Sequence, residues 1–221
     1  MAALSESSDP QITAAYCSYQ EEHELTQRTI PVVADRTGDV FNDLLQGWCP
    51  PSSASIVKRS TLTQIGGFDE SLPSFQDYDL WLRLAQASNH FVAVPEPLLI
   101  KHVHNNHQVS VDPTAKLRGF EIFQQRWSET MKRRLGVQSY QRWVADHLSH
   151  VQLSQVKLAL ARGKRLLAWQ HFLGMTQFLP YSWKLMLKGL FFAALGEKTY
   201  AFVAEANQTL SKKTVEKLSR G

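Results

Sequence analysis

The chain has only two cysteines, Cys17 and Cys49. Neither belongs to a Cys-x-x-Cys pair, which excludes a thiolate zinc site and a dithiol redox motif and leaves a reducing compartment or a single disulfide. No uninterrupted apolar run reaches the roughly 18 residues that a spanning helix needs. The first ten residues, Met-Ala-Ala-Leu-Ser-Glu-Ser-Ser-Asp-Pro, carry neither a basic nor an apolar stretch, so no secretory signal is read there. No clean internal repeat can be aligned, which removes a solenoid reading. The basic residues are spread out and no nucleic-acid motif accompanies them, so nucleic acid is not an expected partner.

What is present is enough apolar material for a core. The 221 residues are 43% hydrophobic and include six Trp, which fits one large or two small folded domains rather than a disordered chain. The net charge of +4 conceals an asymmetry. Residues 1–114 hold 14 acidic and 6 basic residues, net −8, whereas residues 115–221 hold 6 acidic and 18 basic, net +12. An acidic front and a basic back argue for two segments, 1–114 and 115–221, with different partners.

Along the chain, Ile12 to Tyr19 has the aromatic and β-favouring composition of a strand. Residues 20–38 are polar, contain Pro31 and Gly38, and read as a loop. A short helix from Asp39 to Gln46 is broken by Trp48-Cys49-Pro50-Pro51. A strand at 53–57 precedes a helical turn from Arg59 that Gly66 ends. Residues 91–94 form a strand whose exit is punctuated by Pro95 and Pro97, and residues 98–103 form another. From Ala115 the period becomes helical: Leu117, Phe120, Phe123, Trp127, Met131 and Leu135 make one stripe, ended by Gly136. Further helices are expected up to Gly163, from about Arg165 to Leu179, and from Trp183 to Leu195.

The chemistry concentrates in one stretch. Gly66-Gly67-Phe68-Asp69-Glu70 is followed, after a short link, by Gln76-Asp77-Tyr78-Asp79-Leu80-Trp81-Leu82-Arg83. Two glycines make a turn that a Cβ would resist. Asp77 and Asp79 fall at the start of an apolar helix, where free N–H groups and the helix dipole favour carboxylates. On spacing alone this is a capped helix after a turn, or an active-site carboxylate fixed at a helix start.

Three blocks in order, Ser53-Ala54-Ser55-Ile56-Val57-Lys58-Arg59, Ile65 to Glu70 and Gln76 to Arg83, resemble the family 2 glycosyltransferases. The resemblance covers roughly residues 1–114 and, more loosely, the helical tail. It implies an α/β fold: an incomplete A-type glycosyltransferase (nucleotide-diphospho-sugar transferase) domain followed by an all-α helical C-terminal region. It implies transfer of a sugar from a nucleotide-sugar donor to a saccharide or lipid-linked acceptor, by a single displacement at the anomeric carbon in inverting members. Asp77 takes the place of the family's catalytic base. Gln76 stands where the family often has Glu. Gly66 and Gly67 resemble the glycine loop that lets donor and acceptor approach the backbone. With Gln76, Asp79, Trp81 and Arg83 they form the expected substrate-binding group, Trp81 and Arg83 chiefly through packing and pairing.

Further along, residues 98–110 resemble the family segment in which a Tyr-Arg pair precedes a His. Lys101 and His102 take the Tyr-Arg places, and His104 becomes the residue facing metal or diphosphate, with Mn or Mg expected as cofactor of the complete enzyme. His102, His104 and His107 also have the look of a zinc cluster, but no fourth ligand is evident nearby. The family's first strand and Asp-x-Asp-type pair have no counterpart in the chain. The expectation is therefore a C-terminal half-domain, inactive alone, with a separate N-terminal half as partner. A half sheet of this kind is expected to expose a strand edge and apolar faces. The competing reading is a non-catalytic helical interaction module with a vestigial half domain.

The basic tail reads either as solvated helix faces or as a surface for an anionic membrane. Trp183, Leu185, Met186, Leu187, Leu190, Phe191 and Phe192, with Lys184 and Lys188, have the makings of an interfacial helix. The expected location is cytoplasmic, with peripheral attachment at the inner face of a membrane.

Overall fold

Strand β1, Ile12–His23, is the axis of a four-stranded sheet in the computed structural model, which describes residues 11–23, 28–103, 113–179 and 181–195. One side of β1 pairs in parallel with β4, His90–Val103, along its whole length. The other side is shared between two antiparallel strands. β3, Ser55–Val57, takes Ala14 to Tyr16, and β2, Arg28–Val32, takes Tyr19 to His23. Residues Ile12 to Tyr16 are all buried, so this half of the strand is covered on both faces.

The helices of this region are α1 (Phe41–Leu45), α2 (Arg59–Gln64), α3 (Gln76–Gln86) and α4 (Pro113–Leu135). Helix α3 buries Tyr78, Leu80, Trp81, Leu82, Leu84 and Ala85. The Trp81 ring meets Phe91 of β4 edge-on at 5.8 Å, and its indole N–H donates to the Pro50 carbonyl at 2.9 Å. Helix α4 buries Phe120, Phe123, Trp127 and Met131, the stripe that its sequence period predicts. Phe123 lies 5.0 Å from both the Phe75 and Tyr78 rings.

Two expectations for the strands are corrected. Residues 20–38 are not one loop: β1 runs on to His23 and returns through β2. The signal was weak because β2 is an exposed edge strand containing Pro31, and proline is confined to such edges. Residues 91–94 and 98–103 belong to one strand, β4, which passes through Pro95 and Pro97. The pairing shifts register between Cys17 and Ser18 and between Ser18 and Tyr19, and that irregularity accommodates two residues without an N–H. Beyond it, opposed residues pair across the sheet: Lys101 Nζ reaches Glu21 Oε1 at 2.9 Å, and His102 Nδ1 lies 3.1 Å from Glu22 Oε2. Ile30, Leu98 and Ile100 are exposed at this end of the sheet.

The loop between β2 and α1 is pinned to the sheet. The Ser18 hydroxyl accepts from the Ala34 N–H, and the Tyr16 hydroxyl donates to the Arg36 carbonyl while accepting from its N–H. Gly38 and Phe91 exchange both backbone hydrogen bonds.

The chain divides into two compact units, Met1–Tyr140 and Gln141–Gly221. The division falls in the first turn of α5, Val137–Ala161. The second unit continues with α6, Arg165–Met175, and α7, Trp183–Leu195. Its core gathers Leu153, Val156, Ala159, Ala168, Phe172, Met175, Leu185, Phe192 and Ala193. The expected helix up to Leu179 stops at Met175 and tightens into a 3₁₀ turn over Thr176–Phe178. Among the described residues no helix is long and apolar enough to cross a membrane.

One close approach fixes α4 against the loop ahead of α3. A Cβ on Gly119 would stand 2.1 Å from Ser74 Oγ, 2.7 Å from its carbonyl oxygen and 2.9 Å from its nitrogen. Glycine to alanine normally favours a helix by about 1 kcal/mol. Here Gly119→Ala is expected to destabilise by about 1–3 kcal/mol, the range for overpacking. Adding Ser74→Gly removes the nearest atom but not the backbone contacts, so it should restore only part of the loss. Chemical denaturation of both variants checks this.

Candidate active site

Helix α2 ends in a left-handed turn. Gly66 and Gly67 have φ of +81° and +67°. The Gly67 N–H donates to the Leu62 carbonyl and the Gly66 N–H to the Thr63 carbonyl, the two bonds of a Schellman ending. The chain then turns at Asp69, whose Oδ1 accepts from the N–H and hydroxyl of Ser71 at 2.9 and 2.6 Å. It enters α3 through Phe75, which holds φ at +69° without a side-chain cap. Asp77 and Asp79 lie in the first turn that follows.

The two carboxylates have opposite surroundings. Asp79 has no exposed surface. Its Oδ2 accepts from Arg83 Nε at 2.8 Å, and its Oδ1 accepts from Arg126 Nη1 at 2.7 Å and Trp127 Nε1 at 2.9 Å. Arg83 donates onward to the Ile65 and Gly67 carbonyls, both at 2.7 Å. Arg126 donates through Nη2 to Asp69 Oδ2 at 2.6 Å. Two guanidinium groups and two carboxylates thus balance in charge and tie the glycine turn, the Asp69 turn, α3 and α4 together. The hydrogen bonds from Ser71, and then the Arg126 contact, hold the Asp69 carboxyl well below the usual carboxylate range.

Asp77 makes no ion pair among the described residues; its Oδ1 accepts the Tyr78 N–H at 2.8 Å. It lines an open cleft of about 550 Å³ together with Ser52, Phe68, Asp69, Glu70, Leu72 and Gln76. A second cleft of about 350 Å³ is lined by Gly66, Gly67, Arg83 and Arg126, and shares Phe68, Asp69 and Glu70 with the first. Phe68 stands 49% exposed, an apolar plate common to both. Burial, and then the charge of Asp77, push the Cys49 thiol above its ordinary range. Both cysteines are free.

The fold brings Gly66, Gly67, Gln76, Asp77 and Arg83 to the walls of adjoining clefts. Asp79 and Trp81 lie beneath them, buried and hydrogen-bonded within the chain, so both act as framework and neither lines the clefts. His104 and His107 lie outside the described residues. Lys101 and His102 face Glu21 and Glu22 across the sheet. Sequence reasoning missed Arg126 and Trp127 as parts of this region. They come from α4, 47 and 48 positions after Asp79. The only trace of them was Trp127 in the buried stripe of α4.

A family model described as "Glycosyltransferase like family 2" matches residues 12–140. The chain belongs to this family. No curated protein matches it. The matched region ends where the first unit ends, at Tyr140, and so contains α4 with Arg126 and Trp127. Family 2 glycosyltransferases commonly use a divalent metal. Among the described residues no group of three or more His, Cys, Asp and Glu could hold one. Of the three carboxylates that line the larger cleft, Asp69 is occupied by Arg126 and Ser71. His104, which the resemblance turns toward a metal or diphosphate, lies outside the described residues.

Removing the Asp79 charge leaves Arg83 with carbonyl partners, the Ile65 and Gly67 oxygens, and Arg126 with Asp69 as its remaining carboxylate. Asp79→Asn is expected to cost about 3–5 kcal/mol, the range for breaking a buried pair. Arg126→Gln should cost less, because Arg126 is partly exposed and Arg83 still pairs with Asp79. Equilibrium unfolding of the two variants and their double mutant measures the coupling. Because the folded-state pKa of Asp69 is depressed, its contribution is present above the unfolded carboxylate value of about 4 and is lost as pH falls below it. Asp69→Asn should therefore flatten the acid limb of the stability–pH curve relative to wild type.

Proposed function

We propose that this family 2 domain transfers a sugar from a nucleotide-sugar donor to a hydroxyl of a saccharide or lipid-linked acceptor, with Asp77 as the base. The acceptor hydroxyl gives its proton to the Asp77 carboxylate as its oxygen bonds to the anomeric carbon. The bond from that carbon to the diphosphate breaks, and the nucleoside diphosphate leaves with the electron pair. A carboxylate in this role must be ionised, reach the cleft and keep an oxygen available.

The observation that carries this reading is the contrast within one helical turn. Asp77 lines the cleft without an ion pair, while Asp79 two positions on is buried in three hydrogen bonds. The residues around Asp77 suit a sugar: Ser52, Gln76 and Glu70 offer donors and acceptors, and Phe68 offers an apolar face. Arg83 and Arg126 hold the turns that shape the walls.

The test is nucleoside diphosphate release from a panel of nucleotide sugars and acceptors. It is run on the full chain, with release above the acceptor-free background as the expected result. Asp77→Asn should lower kcat by at least ~10²-fold, the scale of general-base catalysis. Donor binding measured by calorimetry should be unchanged. Wild-type turnover in Asp77→Asn removes it from the role.

A further inference from the structure

The second unit presents a surface that its own core does not account for. Helices α6 and α7 meet through Ala168, Phe172, Met175, Leu185, Phe192 and Ala193. The fit is close: a Cβ on Gly189 would stand 2.8 Å from Met175 Sδ and 3.2 Å from Phe172 Cδ2. A helix that satisfies one face in this way usually carries polar residues on the other. Here Trp183, Leu187 and Leu190, spaced i, i+4 and i+7 on α7, are 53, 56 and 41% exposed. On α6, Leu166 and Leu173 are 84 and 59% exposed. Single exposed leucines need no explanation, but a stripe on each of two packed helices does.

The charges nearby have one sign. Residues 147–196 contain no Asp or Glu and six basic residues, Lys157, Arg162, Lys164, Arg165, Lys184 and Lys188. Lys184 and Lys188 neighbour the α7 stripe and are exposed, with the Lys184 ammonium 5.7 Å from the Trp183 ring centre. Arg165 is exposed at the start of α6, one position before Leu166. A second copy of this surface would bring like charges together. An anionic lipid surface supplies the opposite charge and an apolar layer beneath it, and Trp suits the boundary between the two. A 13-residue α7 is too short to span and long enough to lie in that boundary.

We propose that α7 docks the second unit on an anionic phospholipid surface. Trp183, Leu187 and Leu190 enter the boundary between headgroups and acyl chains, and Lys184 and Lys188 meet the headgroup phosphates. This goes beyond the transfer reaction and is tested apart from it, since Asp77→Asn should bind vesicles as wild type does.

The experiment is co-sedimentation of the full chain with phosphatidylcholine vesicles, with and without phosphatidylglycerol, at low and high salt. The chain is expected to pellet with the anionic vesicles and to be released by salt. Each basic residue near the surface accounts for roughly fivefold in partitioning, so Lys184→Glu with Lys188→Glu should weaken binding at least tenfold. Leu187→Ser should weaken it at low salt, with helix content by circular dichroism unchanged. No binding to anionic vesicles overturns the proposal, as does binding indifferent to all three substitutions. A concentration-dependent dimer abolished by Leu187→Ser would assign the stripe to a second copy and also overturn it.

Discussion

A carboxylate with no exposed surface can stay in a protein only if its surroundings replace the water it has lost. Asp79 is surrounded by two guanidiniums and an indole N–H, and those three donors come from two helices. The remaining donors of the same guanidiniums reach the glycine turn and the Asp69 turn. Neutralising one buried charge therefore sets the positions of four chain segments around the clefts. Asp77 is held at a fixed place because its near neighbour cannot move.

The same network changes the meaning of the charge asymmetry. Arg126 belongs to the basic half by sequence, yet its partners are two aspartates of the acidic half. Counted by folded unit, Met1–Tyr140 has twelve basic and sixteen acidic residues, net −4, and Gln141–Gly221 has twelve and four, net +8. Part of the contrast along the chain is internal neutralisation, and the excess that remains lies in the second unit.

Local features were legible in the sequence. Gly66 announced the end of α2, the 3.6-residue period announced α4, and Trp183 to Leu195 bounded α7. Of the site, the stretch from Gly66 to Arg83 could be read because its parts are close in sequence. What escaped depended on distant partners. Nothing near Arg126 says that it will meet a carboxylate 47 positions earlier. The two aspartates at the start of α3 looked alike, as carboxylates suited to a helix N-terminus. Only the presence of α4 separates the one that is buried from the one that lines the cleft. β2 was missed because an exposed strand has no buried face to impose a period of two on its residues.

Phe75 holds the backbone of α3 at an angle its own side chain disfavours by about 1 kcal/mol. The rings of Tyr78, Phe120 and Phe123 hold it there. The direction in which α3 leaves the loop, and with it the aim of Asp77, is thus kept by aromatic packing against α4 and not by a polar cap. Loosening of that packing would let Phe75 relax toward ordinary dihedrals and turn the first helical turn away from the cleft.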